Sequence, residues 1–351
     1  MSGSAGLRVA VVGATGAVGS LILKTLERRG FAAAEVVPFA SARSAGKELP
    51  GYGVIQPLTE ETVKGFDLAL FSAGGGTSRE WAPAFAAGGA IVVDNSSAFR
   101  MDDEVPLVVT EVNPEAIDHA PKGIVANPNC TTMVAMLPVK ALHDAFGLTA
   151  MVATSFQAAG GAGQKGIDEL AEQVPVLAES VYVLVNDGRT AARLVHAEVH
   201  ANTLAFNVVP MLGTLGENGY TDEEMKLQNE SRKILGLPDL AMSPTCVRVP
   251  VMVGHSIAIR ASFEREVDLD RALEVLAAFP NLVVEEAPTP LEWAGRDETV
   301  VGRVRKDLGD PRVLNFFVVG DNLLKGAALN TVQLAELAVT RGLVGSGAAS
   351  A

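Results

Sequence analysis

The feature that most restricts the fold is an early change of texture. Residues 8–12 form a short apolar run that ends in Gly13-Ala14-Thr15-Gly16-Ala17-Val18-Gly19, and a helical pattern then runs from about residue 18 to 29. A buried strand that breaks on glycines and re-emerges as a helix is the opening of a crossover unit, because parallel strands need a long connection back to the same sheet edge. The pattern repeats. Residues 35–40, 67–72, 90–94, 105–109 and 123–126 read as strands, and residues 78–87 as a helix after Ala73-Gly74-Gly75-Gly76. These elements predict a doubly wound, Rossmann-type parallel sheet, on which ligands bind beyond the carboxyl ends of the strands.

Past about residue 128 the alternation stops. Residues 131–146 read as a helix kinked at Pro138, and residues 149–157, 202–210, 247–253, 256–263 and 313–320 as strands. Residues 166–185, 221–236 and 268–278 read as helices, and residues 327–340 as a last amphipathic helix returning to the first domain. The expected architecture is α/β: a nucleotide-binding domain over 1–129, completed by a C-terminal helix at 327–345, and an α+β catalytic and dimerisation domain over 130–326 with a mixed sheet. The active site is expected between them. The small-residue tail, 345–351, reads as frayed.

Composition excludes several alternatives. The 351 residues carry 28 Lys+Arg against 41 Asp+Glu, a net charge of −13, which argues against gripping a nucleic-acid backbone. Hydrophobic content of 48% and charged content of 20% are those of a folded chain, so disorder is not expected. Cys130 and Cys246 are too few for a disulfide framework or a four-thiolate zinc site, and fit a reducing compartment. Residues 1–6 lack a basic segment, and residues 7–12 are too short a run for a secretory signal. The longest charge-free stretch, 145–164, contains Gly147, Gly160, Gly161 and Gly163 and reads as strand and loop rather than a membrane span. A cytoplasmic enzyme without membrane or nucleic-acid partners is the expectation.

Two turns carry chemistry. The glycine turn, with spacing G-x-x-G-x-x-G, lets backbone approach a pyrophosphate at a helix N-terminus; a tight strand-to-helix turn is the bland alternative. After the second strand, where NAD-type sites place a carboxylate, Ser41, Arg43, Ser44 and Lys47 stand instead. Hydroxyls and cations suit a 2′-phosphate, so NADP is the expected cofactor; a solvated basic loop is the alternative. Asn127-Pro128-Asn129-Cys130 follows a strand and opens a helix, and a helix N-terminus favours a thiolate. Backbone N–H groups and Asn129 can stabilise an oxyanion there. Cysteine as a small buried hydrophobe is the alternative, which fits Cys246 better.

The whole chain resembles the aspartate-β-semialdehyde dehydrogenase family of bacterial type. The resemblance is carried by the glycine turn, Ser41–Lys47, Phe71-Ser72-Ala73-Gly74-Gly75, Asn95-Ser96-Ser97-Ala98-Phe99-Arg100, the Pro-Asn-Cys turn, Arg248-Val249-Pro250, Gly254-His255 and the block from Gly320 to Ala328. It implies that Cys130 attacks β-aspartyl phosphate, that phosphate leaves, and that NADPH reduces the thioester to the semialdehyde. It implies His255 as acid/base, its unperturbed pKa lying near neutrality. Gln157 matches the family glutamine that orients substrate, Arg248 the clamp on the substrate α-carboxylate, and Glu223 the partner of its ammonium. Arg100 and Lys226, with Asn95, match the phosphate ligands. Cofactor contacts are implied at Gly13, Thr15, Gly16, Ala17, Val18, Ser41, Arg43, Ser44, Ala73, Gly74, Gly160, Gly161, Asn322 and Gln333. In the family block Gln-Ala-x-Ser-Gly-Ala-Gly this chain has Gly160 in place of serine. A homodimer and roles in lysine, methionine, threonine and diaminopimelate biosynthesis are also implied.

Spacing adds two readings. Arg248 and His255 lie an odd number of residues apart, so on one regular strand they would face opposite ways; Pro250 and Gly254 mark a break between them. Thr221 and Glu224 form a capping box, which leaves Glu223 free and on one helix face with Lys226; a plain surface ion pair is the alternative for those two. His196 and His200, at i and i+4, lack the glutamate after the first histidine that a zincin requires, so no metal is expected and a solvated helix face or a dimer contact is favoured. N-acetyl-γ-glutamyl-phosphate reductase is the nearest rival enzyme; Glu223, Lys226 and Arg248 favour the free-amino substrate. A glyceraldehyde-phosphate dehydrogenase would want a different cysteine turn, and a catalytically dead NADP-binding protein would have lost Cys130 or His255.

Overall fold

The computed structural model describes residues 6–344, which fall into two compact units. The first holds residues 6–129, 233–236 and the described residues from 326 onward; the second holds 130–232 and 237–325. The tail over 345–351 lies outside the described residues.

The first unit is built on five strands, β1 (Leu7–Val12), β2 (Ala33–Phe39), β5 (Leu68–Phe71), β6 (Ile91–Asp94) and β7 (Ile124–Ala126), with a small hairpin of β3 (Glu48–Leu49) and β4 (Gly53–Val54). The order is β2-β1-β5-β6-β7 and every pairing is parallel. Side chains of alternating strand positions divide between two helical layers. Val9, Val11, Leu68 and Leu70 pack with Ile22, Leu23 and Leu26 of α1 (Ala17–Arg28) and with Val332 and Ala335 of α10 (Leu329–Thr340). Phe39 and Phe71 instead meet Phe85 of α2 (Gly75–Ala87) edge to face, at 5.8 and 5.4 Å between ring centres. Residues 105–109 are not a strand. Pro106 lacks the N–H a ladder needs, and only Leu107 bridges to Ala126.

The second unit carries a mixed six-stranded sheet, β11-β12-β13-β10-β8-β9. Its strands are β8 (Leu148–Gln157), β9 (Ala241–Arg248), β10 (His255–Phe263), β11 (Leu282–Val284), β12 (Thr299–Lys306) and β13 (Val313–Gly320). Pairs β8/β9 and β11/β12 are parallel and the rest antiparallel. The buried helix α3 (Cys130–Phe146) runs unbroken through Pro138 and packs on β8, β10 and β13. Around it stand α4 (Gln164–Ala178), α5 (Val181–Asn186), α6 (Gly188–Ala191), α7 (Asp222–Leu235), α8 (Leu269–Ala277) and α9 (Pro290–Trp293).

Several elements differ from the sequence reading. The helix expected over 166–185 ends at Ala178, just beyond Pro175, and resumes as α5. Residues 202–210 are turns in which Phe206 takes φ 56°, with a single bridge from Val209 to Arg248. The strand expected over 247–253 lies earlier and ends at Arg248; β9 is an edge strand, which tolerates Pro244. Strand β12 was not foreseen. Its pattern is interrupted at Arg303, which sits at φ 53° in a register shift against β13.

Candidate active site

In the first unit the glycine turn follows β1 and opens α1. Gly13 takes φ 88°, and a Cβ there would lie 2.2 Å from the Ser72 carbonyl oxygen, so only glycine lets the two turns meet. No side chain caps the N-terminus of α1 and no acidic residue stands in its first turn. Its leading N–H groups and positive dipole end thus face an anion site. A cleft of about 320 Å³ is lined here by Gly13, Thr15, Gly16, Ala40, Ser41, Ser72, Ala73 and Thr77. Ala17 and Val18 begin α1, Gly74 precedes α2 at φ 85°, and Arg43 and Ser44 lie in the loop after β2, Arg43 exposed. The residues fit the phosphates and ribose of a dinucleotide.

Three other residues of this unit are bound into its framework. The buried Arg100 donates from Nε to the Asn127 carbonyl at 2.9 Å and from Nη2 to the Asn95 carbonyl at 2.6 Å. The Arg100 carbonyl accepts from Lys233 Nζ, which also donates to the Asp102 and Val105 carbonyls. Asn95 donates to the Phe71 carbonyl and accepts from Thr331 Oγ1. Gln333 bonds Glu111 and Thr110.

In the second unit Cys130 is the first residue of α3, with the buried Asn129 just before it. Its Sγ lies 3.2 Å from His255 Nε2. Register explains the meeting of distant residues. Gln157 ends β8, Arg248 ends β9 opposite it, and His255 opens β10 on the other side of β8. Arg248 and His255 therefore reach one end of the sheet from two strands, and their odd spacing is irrelevant. Gly254, at φ 99°, makes the turn between them.

His255 is fully buried. Burial first, and then the Arg248 cation, push its pKa well below the ordinary imidazole range. Its Nδ1 accepts from the Ala158 N–H at 3.0 Å. An accepting ring nitrogen bears no proton, so in the neutral ring the hydrogen sits on Nε2 and points at the thiol. In the fold the ring thus departs from the unperturbed histidine value, in the direction that keeps it neutral. The carbonyl of the same Ala158 accepts from Arg248 Nη1 at 2.7 Å. A Cβ on Gly161 would stand 2.6 Å from that Nη1 and 3.4 Å from His255 Nε2, so any side chain at 161 would push the guanidinium off its present position. Gly160 is buried, donates to the Met252 carbonyl, and has that oxygen 3.0 Å from where a Cβ would sit; a serine here would push on backbone.

The remaining groups face the same strand ends. Gln157 Nε2 donates to Ser155 Oγ and to Glu223 Oε1 at 3.3 Å. Glu223 Oε2 accepts from Lys226 Nζ at 3.2 Å, while Asp222, unforeseen, holds that ammonium more closely at 2.7 Å. The capping box forms: the Thr221 N–H donates to Glu224 Oε2 and the Glu224 N–H to Thr221 Oγ1. Glu224 Oε1 also accepts from the Cys246 N–H, tying α7 to β9. Cys246 is buried and its thiol is pushed up to about 12, chiefly by burial, so it stays protonated and inert. Asn322 Oδ1 accepts from the Gly254 N–H, and its buried Nδ2 has no protein partner, a donor left for a ligand.

His196 and His200 are not on a helix. Glu169 accepts from the N–H groups of Glu198, Val199 and His200, and the buried His200 ring meets the Gly166 carbonyl. Among the described residues no group of three or more His, Cys, Asp or Glu could hold a metal, and no helix is long and apolar enough to cross a membrane.

The two buried histidines give a stability prediction. Burial is also the leading cause that lowers the His200 pKa. A histidine held neutral in the fold binds its proton in the unfolded chain first, so stability is full above about pH 6.5 and falls as pH drops below it. Each contributes a slope of up to about 1.4 kcal/mol per pH unit in that window, before most carboxylates titrate. Urea unfolding between about pH 7 and 5 should show it. His200→Asn should remove one share; a flat profile in wild type would contradict the assignment.

Family models match both parts of the chain: "Semialdehyde dehydrogenase, NAD binding domain" over residues 8–120 and "Semialdehyde dehydrogenase, dimerisation domain" over 139–325. The aspartate-semialdehyde dehydrogenase of Corynebacterium glutamicum is 51% identical, with 94% of this chain and 99% of that protein aligned. That of Aquifex aeolicus is 45% identical over 97% and 100%. A crystal structure of aspartate semialdehyde dehydrogenase II complexed with ASA from Vibrio cholerae superposes with a TM-score of 0.87 at 39% identity, covering 95% of this chain and 98% of that one. With its thiol–imidazole pair at the sheet end and both family models matched, the chain belongs to the semialdehyde dehydrogenase family.

Proposed function

We propose that the protein is an aspartate-β-semialdehyde dehydrogenase that converts L-4-aspartyl phosphate to L-aspartate 4-semialdehyde with NADPH. The observation that carries this reading is the Cys130–His255 contact of 3.2 Å at strand ends that also present Arg248, Gln157 and Glu223. Cys130 Sγ attacks the acyl carbon; the C–O bond to phosphate breaks and a thioester forms on Sγ. The nicotinamide, when bound, supplies the hydride that reduces this thioester. The C–S bond then breaks, returning Cys130 to its starting state. His255 Nε2–H, directed at Sγ, donates to the oxygen that gains charge on the neighbouring carbon. The Arg248 guanidinium offers a bidentate clamp to the α-carboxylate, Glu223 receives the ammonium in place of Gln157 and Lys226, and Lys226 turns to phosphate. Arg100 and Asn95 are the corresponding anion-binding candidates of the first unit, and Asn129 an oxyanion donor. Asn322 Nδ2, Gly160 and Gly161 offer contacts to the nicotinamide end, and Gln333 completes the expected set.

The decisive assay is NADPH formation from aspartate semialdehyde, NADP and phosphate beside N-acetylglutamate semialdehyde. Phosphate-dependent turnover with the first substrate alone supports the reading; turnover with the second would mean that Glu223 and Arg248 are misassigned. NADP is favoured over NAD by Arg43, an exposed cation in the loop after β2. Arg43→Ala should raise the KM for NADP about 10- to 100-fold, the worth of a charged hydrogen bond, and leave that for NAD unchanged. Equal changes for both would remove the 2′-phosphate role.

The protein assembles as a homodimer, through the apolar residues exposed on the second unit. Val181, Tyr182, Val185, Phe206, Val208 and Leu215 of this unit are each more than half exposed, and apolar side chains of this size left in water are candidates for burial against a second copy. The cell compartment is the cytoplasm, and the pathway role is in lysine, methionine, threonine and diaminopimelate biosynthesis.

A further inference from the structure

We propose that Cys130 rests as a thiolate whose counter-cation is the Arg248 guanidinium, while His255 stays a neutral donor and never forms the imidazolium of a thiolate–imidazolium pair. The inference rests on the reading of Cys130 as nucleophile and adds where the balancing charge resides.

The argument is geometric. An imidazolium needs acceptors at both ring nitrogens, but His255 Nδ1 meets the Ala158 N–H, itself a donor, at 3.0 Å. Protonating Nδ1 would set two donors against each other inside a fully buried pocket. The ring is thus restricted to one tautomer, with Nε2–H on the Sγ side, where a thiolate is the better acceptor. The proton lost from Sγ passes to solvent water, not to the ring. Positive charge comes from elsewhere. Arg248 keeps its proton at any working pH, and its Nη1 is held by the Ala158 carbonyl against Gly161, on which the His255 ring also closes. The dipole of α3 adds to it, Cys130 being the first residue of a 17-residue helix.

Other charged groups around this point do not supply the cation. Glu223 faces Arg248 but is paired with Lys226, which Asp222 also binds; the buried Cys246 thiol is neutral, and His200 is held neutral by burial. Ala158 is accordingly a positioning residue with two arms: its N–H sets the tautomer and its carbonyl sets the cation. One consequence concerns timing. A substrate carboxylate that lands on Arg248 takes over the counter-charge, and the thiolate loses stabilisation, so it becomes more nucleophilic as the acyl group arrives.

The test is the pH profile of Cys130 alkylation by iodoacetamide on the intact protein without substrate, with the site confirmed by mass spectrometry. Wild type should show an inflection well below the ordinary thiol value of about 8.5. His255→Gln should move it by less than about one unit, whereas Arg248→Met should raise it by about one to three units, the effect of removing a close opposite charge. Arg248→Lys should restore most of that shift. The reverse pattern, with the large shift in His255→Gln, would establish the ion pair and overturn the proposal, as would an ordinary inflection in wild type. Because these variants disturb buried positions, ¹⁵N spectra of histidine-labelled wild type give a second measurement. The His255 signals should be those of a neutral Nε2–H ring from about pH 8 to 6; imidazolium signals there would also overturn it. Turnover of wild type with aspartate semialdehyde separates the two readings. Turnover with an imidazolium sinks only this inference, and a low thiol inflection without turnover sinks only the proposed activity.

Discussion

Cys130→Ser is expected to lower phosphate-dependent oxidation of aspartate semialdehyde by at least about 10³-fold, with the binding of NADP unchanged. A serine hydroxyl at the head of α3 stays protonated where the thiol ionises, and the Nε2–H of His255 cannot remove its proton, because that nitrogen already carries one. Nor is another thiol available: Cys246 is buried and held protonated. The dinucleotide cleft, lined by Gly13, Thr15, Ser41 and Ala73, contains no residue near position 130 in sequence and should titrate with NADP as in wild type. Stopped-flow absorbance and equilibrium fluorescence quenching measure the two halves. Turnover within tenfold of wild type would remove the covalent mechanism, and loss of NADP binding would mean that the substitution acts through folding.

How much of this site can be read from sequence depends on how local its physics is. The glycine turn and the Asn-Pro-Asn-Cys turn are both strand-to-helix junctions within a few residues, and their consequences follow from helix ends alone. The capping box of Thr221 and Glu224 is equally local and forms as read. The meeting of Arg248, Gln157 and His255 is different in kind. It depends on β9 and β10 flanking β8, a pairing across about a hundred residues that no spacing rule contains. The odd interval between Arg248 and His255 therefore raised a difficulty on one strand that two strands remove.

The backbone groups of Ala158 were invisible in the sequence. Ala158 has no functional side chain, yet its N–H and carbonyl hold the two most charge-sensitive side chains of the site. The same blindness affected His196 and His200. Their i, i+4 spacing suggests a helix face, but three N–H groups of residues 198–200 are taken by the Glu169 carboxylate instead of a helical ladder. Strand β12 was hidden by a bulge that puts Arg303 at positive φ and breaks the period of two. For Ala158 and for residues 198–200 the missing information was a partner distant in sequence; for β12 it was a local break in the strand's own backbone.

His255→Ala is expected to reduce kcat about 10²- to 10⁴-fold while changing the KM for aspartate semialdehyde little, since Arg248 and Glu223 remain to bind the substrate. Removing the ring leaves the Ala158 N–H without its acceptor, so the variant should also be destabilised, by about 1–3 kcal/mol from that group alone. His255→Gln separates the two effects. Its amide oxygen can accept locally and its NH₂ can donate toward Sγ, so it should recover stability more fully than rate. The pH dependence then identifies the active form. If neutral imidazole is the donor, and its pKa lies well below the ordinary value, wild-type kcat should show no acid limb near pH 6.5; the limb should lie lower, where the buried ring is at last forced to take a second proton. A kcat that halves near pH 6.5 and loses that step in His255→Gln would show a histidine working through ordinary titration. A kcat of His255→Ala within tenfold of wild type would remove His255 from the chemistry. That second result would leave the 3.2 Å contact with Cys130 as packing, and the charge on the sulfur would then depend on Arg248 and the helix end without help from the ring.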